Sequence, residues 1–123
     1  MNLPEHYFPV MPYPVVSDAE AFIEFITKVF DAEQRLRVDK EDGTVMHAEY
    51  GVNGGTIMFG NASIEWPAFT CAIYLPVADV DGLYAKGLAH GATSTQEPDD
   101  RGYGRAAGFL DPFGNQWWLN DPA

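Results

Sequence analysis

His47 and Glu49 stand two residues apart in the stretch TVMHAEYGV. In a strand, that spacing puts both side chains on one face. An imidazole and a carboxylate so placed can share one divalent metal, given a third ligand from Glu65, His6 or a second subunit. Without a metal, His47 can serve as hydrogen-bond partner or general base. The alternative is a half-exposed strand whose polar face meets solvent or a neighbouring strand. A second feature lies at Trp117 and Trp118, which follow the turn sequence Asp111-Pro112-Phe113-Gly114. Pro112 presets φ for a type I turn, and the residues after it read as a strand. Two adjacent tryptophans on a strand cannot share one core, so one indole is left either to plug the opposite face or to stack on a ligand or hold a cation.

Other candidates carry weaker signals. Tyr103 and Arg105 sit in the polar stretch EPDDRGYGR, which reads as a loop able to close over a ligand, or simply as a solvated turn. Trp66 and Phe69 lie in the linker NASIEWPAF, where they can pack a dimer or wall a pocket. His90 closes a helix and complements its dipole, and His6 belongs to a terminal segment. Cys71 alternates with Ala72 and is expected on the helix side, buried and inert. GVNGG lacks the Lys-Ser/Thr ending and the helix of a phosphate loop.

The elements that position these residues repeat. Residues 7–16, YFPVMPYPVV, read as a strand made irregular by three prolines. Ser17 and Glu20 form a capping box for a helix with Phe22, Phe25, Ile26, Val29 and Phe30 on its apolar face. Three strands follow, EQRLRVD, TVMHAEYGV and GGTIMFG, with Asp42-Gly43 and Asn53-Gly54-Gly55 as turns. The order is βαβββ. FTCAIYLPV opens a second round, with Asp79 as N-cap, a helix showing Val80, Leu83 and Leu88, and Gly91 as left-handed terminator. TSTQ, the polar loop, GRAAGFL and NQWWLN complete it. VSDAEAFIEF matches VADVDGLYAK at an offset of 61, and NGGTIMFG matches FGNQWWLN at an offset of 60. The expected fold is α+β: one domain over 1–123, with modules at about 7–60 and 69–120, whose sheets curl into a mixed trough with helices outside.

Composition narrows the partners. The 123 residues carry 18 acidic against 7 basic side chains, a formal net charge of −11. That balance argues against nucleic acid as a partner; it either serves solubility alone or biases the chain toward cationic ligands at long range. No apolar run approaches the ~20 residues of a membrane span, and the first residues lack the basic start of a signal peptide. With one cysteine and no internal disulfide, the expectation is a cytoplasmic protein without membrane contact.

VVSDAEAFIEFITKVF, LPVADVDGLYAKGLAHGA and YGRAAGFLDPFGNQWW, in that order and duplicated, resemble the vicinal oxygen chelate superfamily, which includes glyoxalase I, bleomycin-resistance proteins and extradiol dioxygenases. The resemblance implies a divalent metal held by one residue from the first strand and one from the fourth strand of each module, typically His and Glu. Those positions fall here at Met11, Met58, Ala72 and Trp118, none of them a His or a carboxylate. It also implies a homodimer.

Two functions follow from the resemblance. The first is a binding protein like the bleomycin-resistance group, taking a small aromatic or cationic molecule in a metal-free trough lined by Trp118, Met58, Met11, Tyr13 and Tyr74. No cofactor is expected in that case. The second is a divalent-metal lyase, isomerase or dioxygenase with ligands relocated to His47 and Glu49. A metal-free enzyme using His47 as base is a third.

Overall fold

The structure, a computed structural model, describes residues 1–122. The chain divides into two compact units, Met1–Thr70 and Cys71–Ala123. The first contains β1 (Val15–Val16), α1 (Ala19–Phe30), β2 (Glu33–Asp39), β3 (Val45–Val52) and β4 (Gly55–Asn61). In the second are β5 (Ala72–Pro76), α2 (Val80–Ala89), β6 (Thr93–Arg101), β7 (Gly104–Leu110) and β8 (Gln116–Pro122). Each unit is a βαβββ module with one four-stranded mixed sheet. The strand orders are β1-β4-β3-β2 and β5-β8-β7-β6. In each module the first strand pairs in parallel with the fourth, and the other pairings are antiparallel. The fold class is α+β, as the repeat requires.

Helix starts also repeat. Asp18 and Asp79 are both N-caps, accepting from the backbone N–H of Ala21 at 3.1 Å and of Gly82 at 2.9 Å. The expected Ser17–Glu20 capping box does not form. Asp18, one residue further on, takes the cap, and Glu20 instead pairs with Arg37. In the first module Phe22, Ile26 and Val29 of α1 are buried against the sheet residues Ala48, Tyr50 and Phe59. Phe22 meets Phe59 edge-on with centroids 4.8 Å apart. Each such ring contributes roughly 1.5–3 kcal/mol by leaving water.

In the second module α2 buries only Val80 and Gly87. Of the expected stripe of Val80, Leu83 and Leu88, Val80 is buried and Leu83 half-buried, while Leu88 is exposed. Gly87 lies against the ring of Phe109, where a Cβ would collide. The close approach of helix to sheet therefore replaces side-chain interdigitation. The sheet supplies the bulk, with Trp117, Phe109 and Leu119 all fully buried.

Two strand expectations need correction. The first strand is only Val15–Val16, not residues 7–16. Pro9, Pro12 and Pro14 remove the donors a longer ladder needs. The segment before it follows the β4 edge instead, with the Met58 N–H donating to the Pro12 carbonyl at 3.1 Å. The second correction concerns EPDDRGYGR, which is not a loop. Glu97–Arg101 belong to β6, and only Gly102 and Tyr103 separate β6 from β7. Register shifts between Ser94 and Gln96 and between Gln96 and Asp99 absorb Pro98. Asn53 and Gly54, with φ of 51° and 82°, make the tight β3–β4 turn that their sequence predicts. Among the described residues no helix is long and apolar enough to cross a membrane.

Candidate functional site

Alternation on β3 decides what His47 and Glu49 face. Ala48 and Tyr50 are buried in the core that α1 covers, so the residues between them point to the other, open face of the sheet. Glu49 sits directly across from Met58 of β4, so Met58 shares that face. Glu49 is 5% exposed, an unusual burial for a carboxylate on the uncovered side of a sheet. The proline-rich N-terminal segment supplies the cover. Tyr7 donates its hydroxyl to Glu49 Oε2 at 2.6 Å, and His47 Nε2 lies 2.7 Å from the same oxygen. On the outer side of the imidazole, Tyr13 Oη lies 2.7 Å from His47 Nδ1. The four residues form one chain, Tyr7–Glu49–His47–Tyr13.

The direction of its protons follows from the carboxylate. Burial alone would raise the Glu49 pKa. Hydrogen bonds from Tyr7 and His47, with the His47 charge, outweigh burial and hold it below its ordinary value. An ionised carboxylate only accepts, so His47 Nε2 carries a hydrogen. In the neutral imidazole Nδ1 is then the acceptor, and Tyr13 donates to it. Burial, followed by the Glu49 charge, raises the Tyr13 pKa, so the phenol is protonated at neutral pH. Beside this chain, Arg35 lies over Gly51 and donates to Thr56 Oγ1 at 2.9 Å, and Thr56 donates to the His6 carbonyl.

Tyr13, 49% exposed, also lines a cavity of about 510 Å³ within the first module. Val15, Met46, Trp66, Pro67 and Phe69 supply most of the remaining wall, and Lys40 is the one charged side chain in it. Phe69 is placed by its backbone, which exchanges two 2.9 Å hydrogen bonds with Val15. That pairing folds the linker back along β1. Trp66 is 70% and Phe69 75% exposed, so their rings are open to a ligand or a partner.

In the second module, Ile73 and Leu75 are buried, while Ala72, Tyr74 and Trp118 point away from α2. Tyr74 and Trp118 are direct neighbours across β5 and β8, and Trp118 is 39% exposed. Its indole lies over Gly108, where a Cβ would sit 2.8 Å from the ring. Tyr74 donates to Asn120 Oδ1 at 2.5 Å. Trp117 takes the core side, and its Nε1 donates to the buried Asp111 at 2.8 Å. Arg105 is committed to Asp81 and Asp100, with N···O distances of 2.7 Å and 3.1 Å, and those carboxylates raise its pKa further. Tyr103 is exposed at the β6–β7 turn. Cys71 is only partly buried rather than fully so, and burial, then the Asp111 charge, pushes its thiol up. His90 caps α2 through its own N–H.

The donor set does not fit a divalent metal. Met11, Met58, Ala72 and Trp118 supply two thioethers, a methyl and an indole. His47 and Glu49 are bonded to each other and flanked by phenols. Among the described residues, no three of His, Cys, Asp and Glu come together as a metal-holding group.

Sequence reasoning missed Tyr7, Lys40 and Met46. No periodicity runs through the proline segment that carries Tyr7, and Lys40 and Met46 flank a turn. Trp66 and Phe69 were legible as candidates from their aromatic exposure in a linker.

The class is settled by comparison with known proteins. Residues 14–119 match the Glyoxalase/Bleomycin resistance protein/Dioxygenase superfamily, and the chain belongs to that family. It is 35% identical to an uncharacterized protein of Mycobacterium bovis, covering 90% of this chain and 81% of the relative. The fold is shared with TioX from Micromonospora sp. ML1, at TM-score 0.77 and 22% identity over 95% of this chain and 100% of that one. It is also shared with the fosfomycin resistance protein FosX from Listeria monocytogenes complexed with Mn(II) and sulfate, at TM-score 0.68 and 18% identity over 94% and 90% of the two chains.

Proposed function

We propose that this protein binds a small aromatic molecule, without a metal, in the cavity of its first module. The carrying observation is that cavity: about 510 Å³, walled by Tyr13, Trp66, Phe69 and Met46, with few polar groups. Its volume suits a small molecule, and its rings offer flat apolar surface at little entropic cost. The net charge of −11 favours cations at long range. At contact range, Lys40 is the charged liner, and contact outweighs a field that salt screens within about 10 Å. A neutral or weakly acidic aromatic therefore suits the cavity better than a cation. In the second module Trp118 and Tyr74 offer a second stacking face. The exposed Ile64, Trp66 and Phe69 also support a homodimer, which sedimentation velocity tests.

The test is tryptophan fluorescence titration with 2-naphthol, 2-naphthoate and 2-naphthylmethylammonium. Naphthol and naphthoate should bind more tightly than the ammonium compound. Trp66→Ala should weaken them by about 1–2 kcal/mol while circular dichroism stays unchanged. An equal loss in Trp118→Ala, with Trp66→Ala silent, moves the site to the second module. No binding up to millimolar ligand sinks the reading.

A further inference from the structure

Tyr13, which ends the hydrogen-bond chain, also lines the cavity, and the ionised Glu49 orders the chain whenever His47 is neutral. Glu49 accepts, His47 Nε2 donates to it, and the Nδ1 of a neutral His47 then receives from Tyr13. This is the order of a catalytic triad, with a phenol where the triad has a hydroxyl nucleophile. The Tyr13 oxygen gives its hydrogen inward and keeps lone pairs for a donor on a ligand. Resting on the binding reading above, we propose that Tyr13, His47 and Glu49 form a proton-accepting relay that selects acidic phenols. On binding, the ligand hydroxyl passes its hydrogen to Tyr13 Oη, and Tyr13 passes its own to His47 Nδ1. One O–H bond breaks in the ligand and one N–H bond forms on His47. The products are a phenolate facing Lys40 and an imidazolium held by Glu49, so charge is balanced at both ends.

The surroundings of His47 support this. Tyr13 and Glu49 are the titratable groups bonded to it, and Tyr7 reaches it through Glu49. Opposite it on β2 is Val38, and opposite Glu49 on β4 is Met58, neither charged. Arg35, the cation of this face, is engaged with Thr56 over Gly51. The ligand class follows from matching acidities. An ordinary phenol gives up its proton far less readily than an imidazolium does. Transfer needs a phenol acidified by an electron-withdrawing substituent.

The probe is 4-nitrophenol, whose phenolate absorbs near 400 nm. At a pH one unit below the free compound's pKa, protein in excess should convert the bound compound to phenolate. His47→Gln, outside the cavity wall, should still bind it, by tryptophan quenching, but show about tenfold less phenolate relative to phenol, one unit of apparent pKa, and the compound that Tyr13→Phe still takes up should show the same loss. Bound 4-nitrophenol with a neutral spectrum in the unmodified protein overturns the relay and leaves the binding reading standing. Phenolate retained in both variants also overturns it and assigns the ionisation to Lys40. Absence of quenching overturns both.

Discussion

The two modules share one plan and treat their open faces differently. In the first, Met58 stands across from a buried glutamate; in the second, the corresponding Trp118 stands across from Gly108. The glycine leaves room for the indole to lie flat, and the glutamate fills the same space with charge. The tyrosines related by the offset of 61 differ likewise. Tyr74 is held by the amide of Asn120, which does not titrate, whereas Tyr13 is held by the imidazole of His47, which does. Each module also has one buried carboxylate in a dense network, on opposite sides of its sheet. Asp111 accepts from the Asn115 backbone, the Asn115 amide and the Trp117 indole inside the second module's core, and from the part-buried Phe113 backbone. Glu49 accepts from groups that lead outward to a cavity. The same chemistry is structural when it faces the helix and available to ligands when it faces away.

The largest effect that breaks this comparison is expected at Asp111. Asp111→Ala removes the acceptor of four hydrogen bonds, three of them buried, each worth about 1–3 kcal/mol when lost. The variant should lose at least about 4 kcal/mol of stability in urea unfolding, or fail to fold. A loss below about 1 kcal/mol would contradict the structural role of that network.

Glu49 is expected to show a smaller, pH-gated effect. Its folded pKa is below the ordinary value of 4.5, so it contributes stability above pH 4.5. That contribution disappears as the pH falls through the depressed folded pKa. Thermal melts should show the unmodified protein losing stability in acid more steeply than Glu49→Gln. Parallel curves would mean that Tyr7 and His47 do not hold the carboxylate ionised.

The smallest effect sharpens the contrast at Gly108. Gly108→Ala should cost about 1–3 kcal/mol by displacing the indole. In a Trp118→Ala background the same change should cost much less, because the ring is gone and only the flexible end of Gln116, 2.9 Å from the new Cβ, has to shift. A double-mutant cycle with no coupling would remove the indole from Gly108.

Much of the fold was legible because it rests on local rules. β2 coincides with EQRLRVD, and the β3–β4 turn needed only Asn-Gly. Asp79 announced its helix by type and position. The capping box failed because two polar residues in a row compete for one cap, and the geometry of chain entry chose Asp18. Composition alone reads the polar run 97–101 as a loop, because it does not register strand pairing that bulges make possible.

The sequence by itself determined the duplication and the class of fold. Those are matters of residue type and spacing. It also placed His47 and Glu49 on one face, since alternation is a local property. Only the tertiary structure decided that the face is covered by Tyr7, that Tyr13 closes the chain onto His47, and that the linker folds back to wall a cavity with Trp66 and Phe69. Those contacts join residues more than thirty positions apart through a proline-rich segment without periodicity. Nothing local encodes where such a segment lies; the β4 edge and the buried carboxylate set it.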